Sequence, residues 1–260
     1  MIDSLLCEQR GLVAVLTLNR PERRNALDTA TVRALDELLA GLPKRRDIRA
    51  LVITGAGDKA FCAGADLKER EGMGPDRVRE FLRTIRSAFR RLELLPQAVI
   101  GAAGGAALGG GLELLLACDL RLASSTATFG LTETTLAIIP GAGGTQRLSR
   151  VIGLSRALDW VLTGRMATAA EAERAGLLSR IVESSADLLP AAVELAERIA
   201  GNGPVAVAQA KRAVRSGFEL PLEEGLALEA EAYETVIPTR DRLEALAAFR
   251  EKRRPVYTGQ

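Results

Sequence analysis

Whatever chemistry this sequence carries rests on two glutamates and a few runs of small residues. Glu113 stands in ALGGGLELLLACD (residues 107–119), an apolar run opened by three glycines. A carboxylate in such surroundings is costly unless something compensates it. If a helix starts at the glycines, Gly110 and Glu113 are three residues apart and share a face. The N–H of Gly110 is then an unpaired donor at a helix start, pointing where an anion could sit. The helix dipole favours negative charge in the first turn and offsets part of the burial of Glu113. A second element is FCAGADLKE, whose AGAD is a small-residue loop with backbone able to lie bare against a ligand. The third is FGLTETTLAIIPGAGGTQRL, in which Glu133 sits among hydroxyl-bearing and apolar residues ahead of a stiff turn. Taken singly, each has a plainer alternative: a first-turn glutamate facing solvent, an ordinary turn, a capping or surface residue.

Elimination narrows the chemistry. The 260 residues include no histidine, which removes Ser-His-Asp and Cys-His catalysis, histidine zinc sites and histidine proton relays. Acid–base work is left to Asp, Glu, Lys, Tyr or Cys. Cys7, Cys62 and Cys118 are widely spaced and never form a CxxC pair. They argue against a disulfide framework and against a cysteine metal site, and suit a reducing compartment; no metal is expected. A net charge of +2 gives no electrostatic reason for nucleic acid as main partner. With only 3% aromatics, base-stacking platforms are not expected either. The start, MIDSLLCEQR, lacks a basic region followed by a long apolar run, so no targeting peptide is read there and a cytoplasmic location is expected. Residues 98–117 imitate a membrane span, nearly uncharged with Gly101, Gly105 and Gly109 at small-xxx-small spacing. Clustered glycines weaken a helix, and Glu113 would lie inside the bilayer. A buried strand–loop–helix is expected instead, and no membrane association.

These groups need elements to hold them. LVAVLTLN (residues 12–19) reads as the first strand, ended by Pro21. Asp28 can cap a helix running to about Leu39, and IRALVITG (residues 48–55) is a short apolar strand. A long amphipathic helix follows over residues 75–95, with Phe81, Leu82, Ile85, Phe89 and Leu92 in its stripe. AVIGAA is a buried strand, residues 109–117 a helix, LRLAS a strand, and a helix is expected at about Thr145. Strands alternating with helices indicate an α/β protein with parallel pairing. The rhythm is strand–strand–helix rather than a Rossmann alternation, and neither GxGxxG nor GxxxxGK[ST] occurs. From about Ser155 onward only LLSRIV (residues 177–182) reads as a strand among amphipathic helices. The last sixty residues, rich in Ala and Leu, either pack on the core or make a subunit interface.

Taken together, NRPERRNAL, FCAGADLKE, ALGGGLELLLACD and FGLTETTLAIIPGAGGTQRL resemble, in order and spacing, the enoyl-CoA hydratase/isomerase (crotonase) family. The ending IPTRDRLEALAAFREKRRPVY is similar to that family's C-terminal helix, so the resemblance covers essentially the whole chain. CAGADLKER and IPTRDRLE resemble most the subgroup of 3-methylglutaconyl-CoA hydratase and its AU-rich-RNA-binding relatives. The resemblance implies a spiral of ββα repeats carrying the active site over residues 1–200. It also implies a helical oligomerisation region over residues 201–260, with assembly as a homotrimer or a hexamer. The N–H groups of Ala65 and Gly110 would form the oxyanion hole for a thioester carbonyl. Glu113 would activate the attacking water, and Glu133 would supply a proton to the α-carbon. Ala63, Ala65, Asp66, Leu67 and Lys68, with Gly110, would bind the adenine and pantetheine of CoA; Arg24 and Lys68 are candidates for its phosphates. CoA is then part of an acyl-CoA substrate, and no cofactor is expected.

General chemistry agrees with that implication. Adding water across a conjugated thioester builds negative charge on the carbonyl oxygen, and each preorganised backbone donor aimed at it is worth roughly 3–4 kcal/mol of barrier. Two carboxylates at one water cannot comfortably both ionise, so one keeps a proton near neutral pH. Glu113, at a helix N-terminus, is expected to be the base, and the reverse assignment within the coupled dyad is the alternative. The function so implied is an enoyl-CoA hydratase, a lyase of the kind used in fatty-acid β-oxidation. Alternatives within the family are a 3-methylglutaconyl-CoA hydratase of leucine breakdown and an enoyl-CoA isomerase; retention of both Glu113 and Glu133 argues against the isomerase. Two further alternatives are an RNA-binding protein, which calls for a lysine-rich first helix, and a catalytically silent scaffold. Here that helix carries only Arg33 ahead of the Lys44-Arg45-Arg46 cluster.

Overall fold

Strands β2 (Val13–Leu18), β3 (Ala50–Gly55) and β5 (Ala98–Ala103) are buried along nearly their whole length. Such strands need cover on both faces, the condition for a parallel sheet. The structure, a computed structural model, describes residues 2–260. It places them in a six-stranded sheet of order β1-β2-β3-β5-β7-β10, with β1 (Leu5–Arg10), β7 (Leu120–Ser124) and β10 (Arg180–Val182). All neighbours pair in parallel except β1, which turns back on β2 in an antiparallel hairpin. A second, four-stranded sheet is built from β4 (Ala60–Cys62), β6 (Ala106–Leu108), β8 (Thr128–Gly130) and β9 (Ala167–Thr168), in that order.

The chain therefore advances by repeats. The first puts both of its strands, β1 and β2, in the large sheet ahead of α1 (Thr29–Gly41). Each of the next three delivers one strand to the large sheet and one to the small sheet, then a helix, with β3-β4 preceding α2 (Leu67–Glu71) and α3 (Pro75–Glu93). The strands β5-β6 precede α4 (Gly110–Ala117), and β7-β8 precede α5 (Gly144–Ile152). This is the expected ββα spiral. On one face of the large sheet Leu16, Ile53 and Val99 join Leu35 and Leu39 of α1 and Phe89 and Leu92 of α3 in the larger core. On the other, Val15, Val52 and Ile100 meet Leu188, Ala192 and Ala196 of α8 (Ser185–Ala200). The helices α6 (Leu154–Thr163) and α7 (Ala169–Arg174) complete the wall.

After Ala200 no residue belongs to either core cluster. The helices α9 (Pro204–Gly217), α10 (Leu222–Val236) and α11 (Arg240–Glu251) bury few side chains of their own. Phe218, just after α9, and Leu222, Tyr233 and Phe249 on α10 and α11 are exposed. The tail is tied down by Asp241, whose carboxylate accepts the N–H groups of Thr258 (2.7 Å) and Gly259 (2.8 Å).

Several sequence expectations need correction. The first strand is β1, not the one at residues 12–19; it is an edge strand with mostly exposed side chains and shows no apolar alternation. The strands of the small sheet were not anticipated, because two or three residues are too few for any period to register. The membrane-like stretch is divided among β5, β6 and α4, and among the described residues no helix is long and apolar enough to cross a membrane.

Candidate active site

The three glycines at the start of α4 have three different duties. Gly109 caps the helix at φ +50°, and a Cβ there would sit 3.2 Å from Oε1 of Glu133. Gly111 faces the Cys62 carbonyl of β4 so closely that any Cβ would collide with it. Between them, Gly110 opens toward the AGAD turn: a Cβ on it would lie 3.6 Å from the Ala65 nitrogen. The turn approaches equally closely, since a Cβ on Gly64 would be 2.9 Å from the Leu108 carbonyl and 3.2 Å from the Gly110 nitrogen. Two backbones meet here with no side chain between them. The N–H groups of Ala65 and Gly110 make no hydrogen bond among the described residues, although neighbouring N–H groups do. Asp66 N–H donates to Leu27 (2.9 Å) and Gly109 N–H to Gly130 (2.8 Å). The pair of bare donors is the feature a carbonyl oxygen acquiring charge requires.

Glu113 is buried on the first turns of α4. Its Oε1 accepts two N–H groups, from Ala142 and Gly144, each at 2.7 Å. The compensation comes mainly from another helix, since Gly144 is the first residue of α5. Burial pushes the Glu113 carboxyl above its ordinary value; the two N–H bonds and then the charges of Arg147 and Arg86 pull it back.

Glu133 is differently placed. It opens a short 3-10 turn, Glu133–Leu136, and its Oε2 is buried without any hydrogen-bond partner. Burial first and the negative charge of Glu113 second push it up to about 7. The two glutamates thus lie close enough to interact electrostatically, one bonded and one bare. A water or substrate atom between them would meet a fixed acceptor on one side and a carboxyl holding its proton near neutral pH on the other.

The remaining predicted residues divide in two. Ala63 and Asp66 serve the turn: Ala63 N–H donates to the Arg24 carbonyl (3.0 Å). The Asp66 carboxylate caps α2 through Lys68 N–H (3.1 Å) and Glu69 N–H and pairs with Arg20 (2.9 Å). The loop expected over residues 63–68 is therefore shorter, because Leu67 and Lys68 already belong to α2. Leu67 and the side chains of Arg24 and Lys68 are exposed, free to meet a ligand. Sequence reasoning missed Arg20 and Asn25. Buried Asn25 donates to the Ala56 (3.0 Å) and Ala60 (2.8 Å) carbonyls, so NRPERRNAL acts chiefly as the clamp behind the AGAD turn. A polar residue at positive φ would have been the signal, but φ is not readable from sequence.

Fold, donor pair and paired carboxylates together define an enzyme of acyl-thioester chemistry. Residues 8–260 match the enoyl-CoA hydratase/isomerase family, and the chain belongs to that family, whose enzymes act on CoA thioesters. It is 42% identical over 253 residues to the short-chain-enoyl-CoA hydratase of Clostridium acetobutylicum, with 97% of each chain covered. It is 44% identical over 256 residues to human mitochondrial methylglutaconyl-CoA hydratase, covering 97% of this chain and 75% of that one. The crystal structure of an enoyl-CoA hydratase from Bacillus anthracis has a TM-score of 0.97 at 49% identity, covering 99% of this chain and all of that one (100%).

Proposed function

We propose that the protein hydrates 2-enoyl-CoA thioesters, as a lyase that needs no cofactor because CoA arrives with the substrate. The thioester carbonyl sits between the N–H groups of Ala65 and Gly110, which carry the charge as the enolate forms. Glu113 takes a proton from water, and the resulting hydroxide oxygen bonds to the β-carbon. Glu133 delivers its proton to the α-carbon; passage of the proton from Glu113 to Glu133 restores the starting state. The observation that carries this reading is the asymmetry of the carboxylates: Glu113 held by two N–H bonds, Glu133 with Oε2 unpartnered and pushed up to about 7.

The test is hydration of crotonyl-CoA by the wild type, Glu113→Gln and Glu133→Gln. Either substitution should lower kcat by about 100- to 10,000-fold with CoA binding nearly intact. Activity within a few-fold of wild type in either variant would refute the two-carboxylate mechanism.

The likeness to the human methylglutaconyl-CoA hydratase supports a second substrate reading, a branched, acidic enoyl-CoA. Rates on short, long and 3-methylglutaconyl substrates side by side decide between them. Assembly as a trimer, or a hexamer of two trimers, is supported by the exposed Phe218, Leu222 and Phe249 of α9–α11. Sedimentation of the full chain tests it. The free Cys7, Cys62 and Cys118 suit the cytoplasm.

A further inference from the structure

The turn that supplies both N–H bonds to Glu113 is gripped from its carbonyl side by two arginines. Nε of Arg86, from α3, donates to the Gly141 carbonyl, and Nη1 of Arg147, from α5, to the Ala142 carbonyl at 2.9 Å. Arg147 is itself fixed by a bidentate pair with Glu93 at the end of α3, Nε to Oε1 at 3.2 Å and Nη2 to Oε2 at 3.0 Å. Both side chains are largely buried, 16% and 13% exposed. Gly143, at φ +106°, leaves the space the guanidinium fills, since a Cβ there would collide with Nη1 of Arg147. Behind Glu93 stands Arg215 of α9, whose Nη1 reaches Oε1 of Glu93 at 3.1 Å and whose Nε reaches Asp119 at 2.7 Å.

We infer that Arg147 is a positioning residue for the reaction: locked by Glu93, it holds the Ala142 carbonyl so that the N–H groups of Ala142 and Gly144 aim Glu113. The inference rests on the hydratase reading for what Glu113 does, and on the geometry alone for how Glu113 is held. An ion pair this buried contributes little net stability, because desolvation cancels most of its attraction. What the rigid fork adds is geometry. Three of its nitrogens bond at once, two to Glu93 and one to Ala142, an arrangement a lysine ammonium cannot copy. Arginine also keeps its charge at every working pH. Around Glu113 the charged groups are therefore Arg147 of α5, Arg86 of α3 and Glu133 of the 3-10 turn, and removal of Arg147 takes away one of the two positive ones.

The experiment compares Arg147→Met, Arg147→Lys, Glu93→Gln and the Arg147→Met/Glu93→Gln double variant by steady-state hydration of crotonyl-CoA across pH. Misaiming a reacting group by a fraction of an ångström is expected to lower kcat of Arg147→Met by about 10- to 100-fold, with KM within about threefold. The acid limb of its kcat profile should move to higher pH, since ionised Glu113 has lost a neighbouring positive charge. Arg147→Lys should keep the limb in place and recover only part of kcat. Glu93→Gln should lose less than Arg147→Met, and the double variant no more, because both residues act along one chain of contacts. Wild-type kcat with an unmoved acid limb in Arg147→Met, or a double-variant loss equal to the product of the single losses, overturns the inference. Should Arg147→Met fail to fold, unchanged kcat in both Arg147→Lys and Glu93→Gln overturns it. An isotope-edited infrared titration of Glu113, identified by its absence in Glu113→Gln, separates the two proposals. A Glu113 that titrates higher in Arg147→Met although the wild type hydrates no enoyl-CoA sinks the hydratase reading and leaves the positioning role standing.

Discussion

Glu113 and Glu133 are the same side chain in two opposite settings. Glu113 is nearly inaccessible yet well compensated, because Ala142, just ahead of α5, and Gly144, its first residue, each give Oε1 a short N–H bond. Glu133 is more open, yet its Oε2 is buried with no partner. Burial raises both; at Glu133 the charge of Glu113 adds to burial and pushes the carboxyl up to about 7, whereas at Glu113 two N–H bonds pull it back. Compensation, rather than depth, is what sets the two carboxylates apart. In the proposed mechanism, this contrast supplies a protein without histidine with a base and an acid near neutral pH.

That contrast breaks most visibly under amide substitution. Both Gln variants should lose activity heavily, but only Glu113→Gln should lose stability at pH 8. Glu113→Gln exchanges two charge-assisted hydrogen bonds for neutral ones and should lower Tm; bonds of that kind are worth roughly 1.5–3 kcal/mol each against about 1 for neutral ones. Glu133→Gln removes an unpaired buried charge and should leave Tm unchanged or raise it. Calorimetry on the two variants checks this, and equal shifts would mean that the two sites are equally compensated. A smaller effect is expected from Gly144→Ala, whose Cβ would lie 3.0 Å from both Cγ and Oε1 of Glu113. Displacing that carboxylate by a few tenths of an ångström should cost about tenfold in kcat at nearly constant KM.

How much of this was legible in the sequence depended on the length of the signal. The long stripe of α3 and the Asp28 cap of α1 matched closely, because many residues repeat the same message or one residue has one well-defined role. The GGG–Glu113 relation was readable for the same reason, as positions three apart on one helix must share a face. What could not be read was the origin of the stabilising donors. The sequence suggested the dipole of Glu113's own helix, whereas the hydrogen-bond donors are Ala142 and Gly144, 29 and 31 residues away. The small sheet that brings β4, β6 and β8 side by side creates the proximity of Ala65, Gly110 and Glu133, and its strands are too short to announce themselves.

The carboxylate contrast also makes a statement about stability and pH. Glu133 titrates at about 7 in the folded protein against an ordinary value of 4.5. The folded state therefore binds this proton more tightly than the unfolded chain between those values, and stability must fall as pH rises through that window. With partial solvent screening the loss is on the order of 1–2 kcal/mol. Chemical denaturation at pH 5 and pH 8 should show this decline in the wild type and a smaller one in Glu133→Gln. Glu113→Gln should also shrink it, since removing the neighbouring charge lets Glu133 ionise more easily. If the decline were equally steep in all three proteins, Glu133 would not be its source.

The smallest effects belong at the outer edge of the site, where the contrast is between groups proposed to bind and groups proposed to react. Lys68 and Arg24 are exposed and form no ion pair among the described residues. Their backbones, by contrast, are committed: Lys68 N–H donates to Asp66 and the Arg24 carbonyl accepts from Ala63. Truncating either side chain should therefore spare the turn and the Ala65 donor it carries. Exposed charges facing a phosphate contribute about 0.2–1 kcal/mol each and are screened by salt. Lys68→Ala and Arg24→Ala should each raise KM for an acyl-CoA by about two- to fivefold with kcat unchanged. The increase should fade as ionic strength rises, because the wild type loses the same attraction to screening. Steady-state kinetics at low and high salt read both quantities. A fall in kcat in either variant would place that side chain's influence on the Ala65–Gly110 donor pair instead of on the phosphates, and would join the outer edge of the site to its reacting centre.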